Sequence, residues 1–516
     1  MPTADSKRSG PALKLFNSLG RDLQEFKPRD PRNVGVYSCG PTVYDYAHIG
    51  NLRAYVFTDT LRRVLNWKGF NVTHVINITD VGHLTSDADA GDDKMEVAAR
   101  RQAKSIWDIA AHYTQAFKSD LVRLNILPPS LWCTATSHIQ EMIGFARTLD
   151  ERGFTYVLDD GLYFDTRRVP DYGRLALLNL EGQESGKRVA GPQQKRNPSD
   201  FAVWRFSPKD KQRLMEWHSP WGIGAPGWHL ECSVMSIKYL GGAFDIHTGG
   251  VDHRQVHHCN EIAQNQGYLG GSETGARFWL HNDFLVMRDD KMSKSTGNFL
   301  TLQSLIDRGI HPTVFRLFLL GAAYRSQLEF SWDAVLGARS ALRRLLLRVA
   351  ALKSQVPDEV KIAAAEYKYS SGGSFGYLLS ILTSGLSDRA QAWVRKLDEA
   401  ISDDLHTPGA LAHLNDLMFD SKLTPEETLR LAQVYDLVLG LDLLNLQKEA
   451  LVIRPIDASL KNEDIDALIL ERETQRKKGD YAGADRIRDK LQNSGVGIMD
   501  SPAGTTWEWL PNQKRP

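Results

Sequence analysis

The sequence predicts an α/β fold: a parallel sheet with helices on its faces, followed by α-helical segments. Three observations predict it. A strand–helix–strand pattern occupies residues 34–78, a long stretch separates it from the region of Trp228, and helical patterns dominate after residue 300.

In chain order, Val34, Val36 and Tyr37 form a short β-prone run that stops at Cys39-Gly40-Pro41. Leu52, Val56, Leu61, Val64 and Leu65 then approximate one helical face, starting near Asn51 and stopping at Gly69. Val72, His74, Ile76 and Ile78 alternate as a second strand. Strand, helix and strand in this order make a βαβ unit with parallel strands. Ligands of such sheets sit beyond the carboxyl ends of the strands, where residues 39–51 and Thr79-Asp80 fall. The intervening stretch, residues 81–225, contains the helical Ile106 to Leu124 and the loop-like Glu181 to Pro198. After residue 300, Phe315 to Leu320 and Ala338 to Leu352 are helical, and Ser370-Ser371-Gly372-Gly373-Ser374 reads as a linker. The following Tyr377 to Leu386 is an insertion with no functional reading. Ile465 to Leu491 reads as one charged amphipathic helix carrying Arg472, Arg476, Lys477, Lys478, Arg486, Arg488 and Lys490. Such a charge run suits a solvated face and RNA contact about equally.

Composition narrows the class. A chain of 516 residues suggests roughly three or four domains, and 42% apolar residues fit a globular protein. No apolar run approaches the roughly 18 residues of a membrane span, and Met1 to Leu13 lacks the apolar core of a signal peptide, so a cytoplasmic protein is expected. Four cysteines leave a disulfide framework out and metal binding, catalysis or burial in. Basic and acidic residues both total 63, so any RNA contact must come from local patches.

Two motifs suit a nucleotide. His48-Ile49-Gly50-Asn51 stands where a helix N-terminus offers unpaired N–H groups to an anion and glycine permits close approach. Alone it is better explained by plain capping. Lys291-Met292-Ser293-Lys294-Ser295 places two lysines among small hydroxyl residues, a composition for a loop that clamps phosphates as charge develops. A third constellation suits a cation. His257 and Glu261, four apart, share one helix face, and two thiolates, Cys39 and Cys232, could complete a tetrahedral zinc set. Spacing leaves open the alternative of buried cysteines and a surface histidine pair.

The first two motifs resemble the HIGH and KMSKS signatures of class I aminoacyl-tRNA synthetases, the first with Asn51 in place of the last histidine. Asparagine still hydrogen-bonds phosphate but carries no charge. The runs Cys39 to Asp45, Asn77 to Asp80, Gly227 to His229, Phe244 to His247 and His257 to Glu261 resemble cysteinyl-tRNA synthetases in order and spacing. The resemblance implies a Rossmann-like nucleotide-binding domain in two halves (1–80 and 226–300) around a connective insertion (81–225). A helical stem-contact region (301–390) and an anticodon-binding C-terminal domain (391–516) follow. It implies one zinc on Cys39, Cys232, His257 and Glu261, and ATP with Mg²⁺ at His48, Gly50, Asn51, Lys291 and Lys294, with His48, Asn51 and the two lysines catalytic. Trp228, Thr79, Asp252 and His229 are implied around L-cysteine. The expected partner is tRNA(Cys), and the expected state a monomer. Two other functions remain at this point: a ligase giving cysteine to a small amine, as in the related mycothiol-pathway enzyme, and a non-catalytic RNA-binding paralogue.

Overall fold

A computed structural model describes residues 10–81, 95, 96, 98, 102, 105–178, 195–208, 213–287, 300–357, 375–501 and 504–511. Along the chain, β1 (Lys14–Asn17) and β2 (Asp22–Glu25) form a hairpin ahead of the βαβ unit of β3 (Val34–Ser38), α1 (Ile49–Trp67) and β4 (Val72–Ile78). Then come α2 (Ile106–Arg123), β5 (Leu131–Thr134) and α3 (Ile139–Glu151). An antiparallel sheet of β6 (Thr155–Leu158), β7 (Gly161–Phe164), β8 (Phe201–Phe206), β9 (Trp217–Ser219) and β10 (Gly222–Pro226) interrupts the parallel order. The parallel pattern resumes with α4 (Trp228–Leu240), β11 (Phe244–Gly250), α5 (Val251–Gln255), α6 (His257–Leu269) and β12 (Ala276–Asn282). A short parallel pair, β13 (Leu285–Met287) and β14 (Leu328–Phe330), brackets α7 (Leu302–Asp307) and α8 (Pro312–Leu320). Five helices follow: α9 (Trp332–Lys353), α10 (Phe375–Thr383), α11 (Asp388–Ser402), α12 (Thr407–Met418) and α13 (Pro425–Leu439). The chain ends with α14 (Asn462–Lys477), α15 (Tyr481–Asn493) and the hairpin β15 (Val496–Ser501) and β16 (Gly504–Trp509).

The main sheet has the order β12-β11-β3-β4-β5, all neighbours parallel. From β3 the chain steps to β4 on one side, while β11 pairs on the other. The crevice beyond the carboxyl ends of β3 and β11 is therefore a topological switch point, where such sheets bind ligands. Cys39 follows β3 at this point, and α5 and α6 follow β11. β5 lies within the segment read as insertion, yet it is the edge of this sheet. Its register against β4 pairs Cys133 with Asn77 and Leu131 with Val75, a pairing four residues of ordinary composition do not announce.

The single helix expected over Ile465 to Leu491 is corrected to two. Gly479 adopts φ +81°, and Asp480 accepts the N–H of Gly483 at 2.8 Å to start the second. The turn lets Ile465 and Ile469 of α14 and Ile487 and Leu491 of α15 share a core with Val496 and Trp509, separate from the cores around the parallel sheet. Arg472 also departs from the solvated basic face: it is buried and grips Asp500 through two bonds of 2.8 Å. Of the linker and insertion after residue 353, Ser370 to Ser374 lies outside the described residues. α10 buries Phe375, Leu378, Leu379 and Leu382 in the main core and packs against α13 and α1.

Candidate functional site

Three elements bring the chemistry together at the switch point. Cys39 leaves β3, Cys232 lies on α4, and His257 and Glu261 occupy one face of α6, one turn apart. Donor atoms of Cys39, Cys232, His257 and Glu261 all lie within 4.8 Å of one another, and all four residues are buried. Cys39 Sγ is 3.9 Å from Cys232 Sγ, and His257 Nε2 is 3.0 Å from Glu261 Oε1. That carboxylate oxygen makes no hydrogen bond despite its burial. Two sulfurs, one imidazole and one under-used carboxylate oxygen facing a common point fit a zinc ion, which accepts S, N and O donors tetrahedrally.

The electrostatics agree. Hydrogen bonding from Cys39 brings the Cys232 thiol down to about 7, while burial pushes Cys39 well above the usual thiol range. Burial opposes a charge on His257, but Glu261 and Cys232 outweigh it and raise the ring to about 10. Burial likewise opposes ionisation of Glu261, and His247 and His257 outweigh it and bring the carboxyl to about 2. The cluster thus draws positive charge toward its centre.

A second donor set shares two members: Cys39, His247, His258 and Glu261 also lie within 4.8 Å. Its histidines have supporting partners. His247 Nε2 is 2.9 Å from Glu261 Oε2, and His258 lies 3.3 Å from Cys39 Sγ through Nε2 and 2.7 Å from His281 through Nδ1. His281 continues to Ser18 Oγ at 2.8 Å. Histidine and carboxylate partners of this kind orient metal ligands from behind. No spacing in the sequence could have located them, since they come from β11, α6, β12 and the loop after β1.

The implied cysteine-binding residues surround this cluster. Trp228 is half-buried, its ring 4.3 Å from that of His257, and His229 Nδ1 is 3.0 Å from His257 Nδ1. Thr79 is buried and donates to Glu231 over 2.8 Å. Asp252, on α5, is exposed at the rim. Cys133 and Cys259 stand apart: their thiols point at the carbonyls of Ile76 and Arg254, and burial pushes them up to about 12 and about 11, as in plain core cysteines.

His48 caps α1, and Asn51 explains the departure in the fourth position of its motif. The N–H of Asn51 donates to His48 Nδ1 and the N–H of His48 to Asn51 Oδ1, both over 3.2 Å. This reciprocal capping box holds the imidazole at the helix N-terminus, where burial lowers its basicity and Asp252 partly opposes that. Gly50 lies under the ring, where a Cβ would come within 3.0 Å of it. Lys291 and Lys294 lie outside the described residues. The residues on either side are stitched to α1: Ile49 N–H donates to Leu300 O over 2.8 Å, His48 bridges Thr301, and Arg53 donates to Asp283 O over 2.8 Å.

Residues 25–340 match the family model of the class I (C) tRNA synthetase catalytic domain, and residues 462–507 match that of the cysteinyl-tRNA ligase anticodon binding domain. A cysteine–tRNA ligase of Zymomonas mobilis is 54% identical, the match covering 98% of this chain and 99% of that one. The chain belongs to the cysteinyl-tRNA synthetase family. Further family members from Novosphingobium aromaticivorans and Treponema denticola are 48% and 42% identical over 96% and 97% of this chain, and over 97% and 100% of their own lengths. The family activity, ATP-dependent ligation of cysteine to tRNA, is the activity of this chain. Among the described residues no helix is long and apolar enough to cross a membrane.

Proposed function

We propose that the chain, as a cytoplasmic monomer, activates L-cysteine with ATP and Mg²⁺ to cysteinyl-adenylate and passes it to tRNA(Cys), with one zinc held by Cys39, Cys232, His257 and Glu261. The observation that carries this reading is the convergence of those four donors at the switch point. Bound there, zinc supplies selectivity, because it takes a deprotonated thiol far better than a hydroxyl and so tells cysteine from serine. Trp228 and His229 form the wall beside it, and Thr79 and Asp252 address the amino end of the substrate. His48 and Asn51, backed by Gly50 and the N-terminus of α1, donate to the ATP phosphates. Lys291 and Lys294 supply charge as pyrophosphate departs, and the substrate carboxylate is the nucleophile, so no covalent enzyme intermediate is needed.

Three functional regions follow. The parallel-sheet domain activates cysteine, the segment 81–225, which carries most of the antiparallel sheet, is the connective insertion, and the helices and C-terminal hairpin after residue 391 face the anticodon side. Cysteine-dependent ATP–pyrophosphate exchange followed by tRNA charging tests the reading. Exchange and charging are both expected. Exchange without charging of any tRNA points to a small-amine ligase, and absence of both points to a non-catalytic RNA-binding protein. Deleting residues 462–516, a unit with its own core, should spare exchange and cut charging.

A further inference from the structure

A chain of hydrogen bonds behind the two thiols runs in one direction only. The backbone N–H of Gly40 donates to Asn77 Oδ1 over 2.7 Å, Asn77 Nδ2 donates to Thr79 Oγ1 over 3.1 Å, and Thr79 Oγ1 donates to Glu231 Oε2 over 2.8 Å. The direction is set at its start. A backbone N–H can only donate, so the amide of Asn77 must turn its oxygen to Gly40 and its nitrogen to Thr79. Thr79 must then accept from Asn77, and its one proton goes on to Glu231. Glycine permits this approach: a Cβ at residue 40 would stand 1.5 Å from Asn77 O. Asn77, Thr79 and Glu231 are all buried. The chain begins one residue after Cys39 and ends one residue before Cys232, whose Sγ lies 3.9 Å from Asn77 Oδ1.

A hydroxyl has one proton and two lone pairs. Thr79 commits its proton to Glu231 and one lone pair to Asn77. What it can offer a ligand is one lone pair, backed by a carboxylate. We infer that Asn77 and Glu231 are positioning residues that hold Thr79 as an acceptor for the protonated α-amino group of the amino-acid substrate. The site therefore reads an ammonium through Thr79 as well as a thiol through the metal cluster. This rests on the proposed placement of the amino end at Thr79. A Glu231→Gln amide can donate back to Thr79, turning the hydroxyl proton away from residue 231 and removing the charge behind it.

The test is calorimetric binding to full-length, zinc-loaded protein of L-cysteine and of 3-mercaptopropionate, which keeps thiol and carboxylate and lacks the amine. Glu231→Gln is expected to weaken cysteine about tenfold, the loss of one hydrogen bond to a charged group, and to change mercaptopropionate by less than about twofold. Thr79→Val should do the same, Thr79→Ser should restore cysteine binding, and the double variant Glu231→Gln/Thr79→Val should be no worse than Thr79→Val alone. Equal weakening of both ligands, additive losses, or unchanged cysteine binding overturns the inference. If Glu231→Gln fails to fold, Asn77→Asp, which keeps an oxygen for the N–H of Gly40 and loses the donor to Thr79, carries the same comparison: weaker cysteine with mercaptopropionate unchanged supports the inference, and unchanged cysteine binding overturns it. The proposed function fails separately, if unmodified protein shows no cysteine-dependent pyrophosphate exchange.

Discussion

Two buried polar clusters of this molecule are balanced in opposite ways. At the switch point, two thiols, an imidazole and a carboxylate converge without a side-chain cation of fixed charge among them. Midway along α1, Asp59 accepts from Arg316 over 2.5 Å, from Arg63 over 2.8 Å and from the N–H of Leu127 over 2.8 Å. Other guanidinium protons go to the carbonyls of Leu439, Leu437, Leu124 and Asn125. Gly440, at φ +64°, leaves room for Arg316, where a Cβ would lie 2.6 Å from its guanidinium. This second cluster sets two guanidiniums against one carboxylate, with neutral carbonyls taking up further protons, and joins α1 to α8 and the end of α13. The first has surplus acceptors and gathers positive charge. The difference suits one to a structural role and the other to the metal-holding role proposed for it.

The largest effect should come from breaking the ion-paired cluster. Arg316→Met removes one partner and several buried carbonyl bonds, and should cost about 3–5 kcal/mol in chemical unfolding. A loss under about 1 kcal/mol would show that the joint carries little. Metal removal should be gentler on stability and severe on activity. At a metal concentration one hundred times Kd, binding contributes about 2.7 kcal/mol. Chelated protein should unfold earlier by about that much, lose cysteine activation and regain both with zinc, whereas identical unfolding curves would mean that the donors hold no ion.

The smallest effect is in the pH profile. Burial alone would raise the Asp59 carboxyl, but Arg63 and Arg316 outweigh it and hold it below 3.8. A depressed carboxyl contributes stability in full above its unfolded value and loses it as pH falls through the folded value. Denaturation at pH 5 and pH 3 should therefore show a steeper acid loss in unmodified protein than in Asp59→Asn. Parallel losses would remove Asp59 from the account.

The contrast also explains what could be read in advance. The βαβ unit was legible because its periodicity changes from 2 to 3.6 and back within a few residues of glycine, and α1 and β4 lie where Leu52 to Leu65 and Val72 to Ile78 place them. His257 and Glu261 were legible as a pair because they are one helical turn apart. Their union with Cys39 and Cys232 came only with the family resemblance, since tertiary packing joins them. His281 and Glu231 gave no signal, and Asn77 and His247 entered only as members of family-like runs without a role, because single polar residues in strands and helices look like solvated positions until a partner from another element is known. The C-terminal helix was read too long for a related reason. Its charges continue through Gly479, and only the shared core of Ile465, Ile487 and Trp509 shows why the chain turns there.

The central claim is that four side chains from three parts of the sequence hold one metal ion that reads the substrate thiol. Its most direct test pairs metal analysis of purified protein with cysteine- and serine-dependent pyrophosphate exchange, in the unmodified chain and in Cys232→Ser. The account predicts about one zinc per chain, by the four-ligand count of the site, and strong preference for cysteine. Cys232→Ser should lose zinc and cysteine activation together. Full and selective cysteine activation by protein verified to be free of metal would contradict it.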